Sequence, residues 1–120
     1  MISRCNAAGF RIMLGLAMLI ATWAALTPQP MQLPTLPFAD KWTHLATYLV
    51  LSFLVDASWP ERGFDAPKWG ALLAYGLLIE LVQTQIANRF FSLADLAANG
   101  VGIALYAFVV LRTLRARALR

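Results

Sequence analysis

The sequence predicts an all-α membrane protein, a bundle of four transmembrane helices with both termini in the cytoplasm. Three observations predict it. Of the 120 residues, 60% are hydrophobic and only 13% charged, against ~45–50% apolar and ~25% charged in soluble domains. The apolar residues form four runs, 12–26, 45–59, 69–86 and 96–111. Each reaches the ~17–25 residues of a span once flanking positions are borrowed. The cations are unevenly placed. With the N-terminus inside, Arg4, Arg11, Arg62, Lys68, Arg112, Arg115, Arg117 and Arg120 are cytoplasmic and only Lys41 and Arg89 face out, which is the positive-inside pattern.

This length makes residues 1–120 a single membrane domain. The net charge of +4 is concentrated in the basic tail, which reads better as a topology anchor than as a nucleic-acid surface. Cys5 is the one cysteine, so neither an internal disulfide nor a thiolate metal site is possible.

The first span, about residues 10–27, has Arg11 as its one ionisable group, expected to snorkel to the interface. Gly15, Ala17, Ala21, Ala24 and Ala25 let a neighbouring helix approach closely, so the segment is read as packing and anchor. Arg4 and Arg11 ahead of an apolar run that ends in Ala21–Ala25 also fit a signal peptide. Cleavage there would leave three spans and discard the charge asymmetry. Pro28, Pro30, Pro34 and Pro37 then rule out continuous helix and predict a semi-rigid outer loop, either a lid over a site or an interfacial segment.

Asp40 stands where an N-cap opens the second span. At 100° per residue, Asp40, His44, Thr47 and Tyr48 share an arc of about 100°, with Lys41 at its edge, so the outer half of this helix carries a polar stripe. Asp56 lies off the stripe near the inner end and is expected to meet cytoplasmic water. Residues 60–67, bracketed by Pro60 and Pro67, read as a hairpin connection, with Trp59 and Trp69 as interfacial anchors.

The third span, about residues 68–88, places Gly76, Glu80, Gln83, Thr84 and Ala87 on one face. Glu80 alone could be a protonated packing device. Its polar neighbours favour a site. After a short turn, Ser92 caps the fourth helix, with Asp95 at the third position in a serine capping box. Asp95, Asn99, Gly102 and Tyr106 share a face, beside a small-residue ridge of Ala94, Ala98 and Gly102.

Depth joins these faces. Counted from the cytoplasmic ends, Tyr48, Glu80 and Asn99 reach roughly 16–20 Å, His44 and Gln83 about 22 Å, and Asp95, Asp40 and Arg89 lie progressively further out. The candidate ligand-binding set is therefore Asp40, Lys41, His44, Tyr48, Glu80, Gln83, Arg89, Asp95 and Asn99, lining one cavity in the outer half. An ionisable side chain near lipid costs ~2.5–3.5 kcal/mol on insertion scales, so such groups stay where they face partners or water.

Three runs carry a family likeness: Asp40, Lys41, His44 and Tyr48; then Glu80 and Gln83; then Arg89, Ser92, Asp95, Asn99, Gly100 and Gly102. In order and spacing they resemble the VanZ-like family of small bacterial membrane proteins, over about residues 40–102. The chain departs at Leu45, where an aromatic residue is common, and at Asn88, where glycine is frequent. The resemblance implies an inner-membrane protein of the bacterial envelope, in a family with a member linked to teicoplanin resistance. It implies no particular reaction.

Three chemistries fit the set. A polar or anionic headgroup of a lipid-linked envelope compound would be held by Lys41 and Arg89, with hydrogen bonds from His44, Gln83 and Asn99. An enzyme acting on a lipid phosphate would use His44, Asp40 and Glu80. A divalent metal would draw on Asp40, His44, Glu80 and Asp95, but Lys41 and Arg89 count against added positive charge. The first is the main expectation, with no cofactor, no resident metal and no nucleic-acid partner.

Overall fold

The computed structural model describes residues 4–27, 39–86 and 91–120, without the side chains of Arg4, Ala39 and Asp40. The proline-rich segment expected to form a lid lies outside the described residues. All regular structure among the described residues is helical: α1 (Arg4–Leu26), α2 (Ala39–Ser58), α3 (Ala66–Gln83), α4 (Leu93–Leu105) and α5 (Leu111–Ala116). A π-helical turn, Tyr106–Val110, joins α4 to α5. The helices pack into a body of 46 × 25 × 23 Å.

Two helical stretches are long and apolar enough to cross a membrane, Cys5–Leu26 and Leu93–Ala116. α2 and α3 are interrupted by Asp40, Lys41, His44 and Asp56 and by Lys68, Glu80 and Gln83 respectively. Large apolar side chains cover the outside: Leu19, Ile20, Trp23, Trp42, Leu93 and Phe108 are each 65% or more exposed.

α2 is the central element, packed most extensively on α4 and next on α1. Leu51, Leu54 and Tyr48 of α2 meet Leu14 of α1, Leu72 of α3 and Ile103 of α4 in the buried core. The α2–α4 approach depends on Gly102. A Cβ there would run into the Leu45 carbonyl oxygen and come within 3.1 Å of the Leu49 nitrogen, backbone atoms that no rotamer change can move aside. Of the small-residue ridge read from the sequence, Gly102 makes the close approach, whereas Ala94 is exposed.

Near the C-terminal end of α2, Asp56 departs from expectation: it is fully buried. Lys68 Nζ donates to its Oδ1 at 2.7 Å, and Arg120 donates to Oδ2 through Nε and to Oδ1 through Nη2, both at 2.9 Å. The Tyr106 hydroxyl also donates to Oδ2. The two cations further bind carbonyl oxygens of the hairpin, Lys68 those of Trp59 and Arg62 and Arg120 those of Pro60 and Arg62. A buried carboxylate persists only when its charge and lone pairs are answered, and four side-chain bonds do so here. Bonding to the Asp56 carboxylate raises the Arg120 guanidinium further above its ordinary value.

The chain reaches this lock through an unusual helix end. Ala118 donates to Arg115 O and Leu119 to Leu114 O, the double bond pattern of a Schellman cap. Ala118, not glycine, occupies its left-handed position, at φ 56°. Arg11 is likewise tied down, donating from Nε to Ser58 O at 2.9 Å and lying 5.2 Å from the Trp59 ring centre.

Candidate functional site

The polar faces of α2, α3 and α4 converge. On α4, Ser92 is the N-cap, and its Oγ accepts the Asp95 N–H at 3.1 Å. In a reciprocal capping box the third residue would bond back to the Ser92 N–H. Here that N–H instead donates to Glu80 Oε2 from α3 at 3.3 Å. Glu80 is 1% exposed and places its carboxylate at the positive end of α4.

Asp95 turns to α2. Lys41 Nζ stands 2.6 Å from its Oδ1, an ion pair that compensates this oxygen without a directional hydrogen bond. His44 Nε2 stands 3.6 Å from its Oδ2. The other imidazole nitrogen, Nδ1, lies 3.1 Å from Asn99 Oδ1. An amide oxygen only accepts, so Nδ1 carries a proton, and in the neutral ring Nε2 is the nitrogen left with a lone pair. Asn99, one turn beyond Asp95, thereby sets the histidine tautomer.

Beneath these groups Gly76 leaves room. A Cβ there would lie 2.9 Å from Asn99 Nδ2 and 3.1 Å from the Tyr48 hydroxyl oxygen, so Tyr48, Asn99 and α3 meet at this glycine. Exposure falls inward, from 28% for the Lys41 side chain and 21% for His44 to 13% for Asp95, so the site opens past Lys41 and His44.

Of the candidate residues, the structure thus brings together Lys41, His44, Tyr48, Glu80, Asp95 and Asn99. Gln83 is buried but sends its Nε2 to the Ala25 carbonyl at 2.7 Å, where it fastens α3 to α1. Thr84 is exposed and bonds its own helix at Leu81 O. Arg89 and the Asp40 side chain lie outside the described residues. The Asp56–Lys68–Arg120–Tyr106 lock is the polar assembly that the sequence reading passed over. Opposite charges twelve residues apart, on either side of a tight hairpin, were the available signal.

No family model, curated protein or solved structure matches the chain. Its class therefore rests on the fold and site: a protein that is all-helical among the described residues, with two helices able to cross a membrane, that gathers buried and half-buried ionisable groups from three helices.

Proposed function

We propose that the chain is a VanZ-like integral protein of the bacterial inner membrane, with four spans and both termini in the cytoplasm, that binds the polar headgroup of a lipid-linked envelope compound. The observation that carries this reading is the convergence of Lys41, His44, Glu80, Asp95 and Asn99 in a body whose flanks expose large apolar side chains. In a bilayer those flanks are solvated by acyl chains, and the polar site becomes a pocket in the outer half. Lys41, ion-paired with Asp95 but 28% exposed, presents its ammonium at the mouth of the site to a phosphate or carboxylate, and the imidazole edge and Asn99 supply direction. A role in tolerance of glycopeptide antibiotics of the teicoplanin type follows if the bound compound is an envelope precursor.

The test is mass spectrometry of small molecules co-purified with wild type, Lys41→Ala and Asn99→Ala from the native membrane. The reading expects a lipid with a polar headgroup enriched on wild type and depleted severalfold on both variants. Equal lipid profiles on all three would overturn it.

A further inference from the structure

The interior of the site holds more acceptors than donors. His44 Nε2 faces Asp95 Oδ2 across 3.6 Å, a nitrogen and an oxygen that are held together by a cation between them, either a proton or a metal ion. Glu80 is 1% exposed, and its Oε1 finds no donor among the described residues although its carboxyl group lies within hydrogen-bond reach of the Asp95 carboxyl, so a proton or a metal ion must lie between the two acids. One ligand atom from each of His44, Glu80 and Asp95 falls within 4.8 Å of the others. A buried carboxylate oxygen without a donor is costly, and its position beside two further acceptors gives that cost a reason.

We propose that His44 Nε2, Asp95 Oδ2 and Glu80 Oε1 bind one divalent metal ion of the zinc class, with a further coordination position open on the exposed side of His44. The donor set is one imidazole and two carboxylates, which suits zinc and related ions. Bonds of ~2.0–2.2 Å in tetrahedral array put ligand atoms about 3.4 Å apart, close to the His44–Asp95 separation. The Glu80 oxygen, within 4.8 Å of the other two ligand atoms, moves inward to complete the set.

Asn99 acts as a positioning residue. Metal-bound histidines usually donate their second N–H to an oxygen acceptor, which fixes the ring and its tautomer, and Asn99 Oδ1 is in that place. The charge of Lys41, which counted against a metal in the sequence, is matched by Asp95 Oδ1. Oδ2 keeps its lone pairs for coordination. The open position admits water or the oxygen of an anion, so the site reaches the proposed headgroup chemistry without depending on it. A metal site with no lipid selectivity, or lipid selectivity with no metal, separates the two proposals.

The experiment is elemental analysis of the full chain purified in detergent without chelator, followed by chelator stripping and titration with zinc, manganese and calcium. Thermal unfolding and metal content are the readouts. The proposal expects close to one zinc per chain, a higher unfolding temperature on adding zinc than on adding calcium, and at least tenfold weaker zinc binding in His44→Ala and Glu80→Gln. Asn99→Ala should weaken binding by about 10–100-fold. His44→Cys should restore binding relative to His44→Ala and shift preference toward cadmium, since a thiolate is a softer ligand. Wild type without stoichiometric metal and without a zinc-dependent shift would mean that protons alone fill the site, and the proposal fails. Zinc bound equally by wild type and His44→Ala would also overturn it. The wild-type measurement decides even if a variant does not fold.

Discussion

Glu80 on α3 accepts the backbone N–H of Ser92, the N-cap of α4, at 3.3 Å. A carboxylate from one helix thus closes the end of the next, and Asp95 is released to pair with Lys41 and face His44. Ser92→Ala removes the acceptor for the Asp95 N–H and should cost about 1 kcal/mol. Glu80→Ala strands the Ser92 N–H and should cost about 1–3 kcal/mol. Reversible unfolding in mixed micelles measures both, and a neutral Glu80→Ala would contradict the interhelical cap.

The glycines separate fold from site. At Gly102 an added methyl meets α2 backbone, so Gly102→Ala should destabilise by about 1–3 kcal/mol through forced separation of α2 and α4. At Gly76 the added methyl meets the ends of Asn99 and Tyr48, which are side chains. Gly76→Ala should therefore disturb metal or headgroup binding more than stability. Nothing lies within 4 Å of a Cβ at Gly100. Gly100→Ala should be neutral or stabilising, since glycine costs roughly 0.5–1 kcal/mol relative to alanine inside a helix. Denaturant midpoints and binding on the same three variants test the ordering.

Asp56 answers the buried Lys68 and the half-buried Arg120, so Asp56→Ala should be among the most damaging substitutions, at about 3–5 kcal/mol. The double variant Asp56→Ala/Lys68→Met removes charge from both partners and should recover part of that loss. A double variant no more stable than Asp56→Ala would show that the pair is not the source of the cost.

Ala118 holds a left-handed conformation that glycine adopts without penalty. Ala118→Gly should stabilise the chain by about 1 kcal/mol, because its φ of 56° is strained for a residue with a Cβ. A lower unfolding midpoint would argue against the Schellman turn that returns Arg120 to Asp56.

Much of this architecture was legible because helical periodicity and polarity carry it. The stripe of Asp40, His44, Thr47 and Tyr48 with Lys41 at its edge, the isolated Glu80 and the run from Ser92 to Asn99 are regular enough for angle and depth to be counted from the sequence, and in the structure Lys41, His44 and Tyr48 of that stripe meet Glu80, Asp95 and Asn99. The reading missed where a helix leaves its regular path or where a partner is remote. The π turn at Tyr106–Val110 leaves no mark in apolar periodicity, although Tyr106 within it reaches Asp56. Arg120 looked like one more basic residue in the tail because its partner is 64 positions away. Gln83 shares the face of Glu80 but is claimed by Ala25 O at the end of α1, and a helical wheel does not show which neighbour takes a side chain. Asp95 satisfied the capping-box pattern on spacing alone, whereas the returning bond comes from Glu80.

The central proposal, that the site gathered from three helices opens to the outside of the cell, is tested most directly by labelling intact cells with a membrane-impermeant maleimide. In a Cys5→Ser background, His44→Cys should react from outside and be protected by a bound headgroup or metal, while Arg62→Cys and Arg112→Cys should react only after the membrane is opened. Labelling of Arg62→Cys or Arg112→Cys in intact cells, with His44→Cys unreactive, would contradict the account.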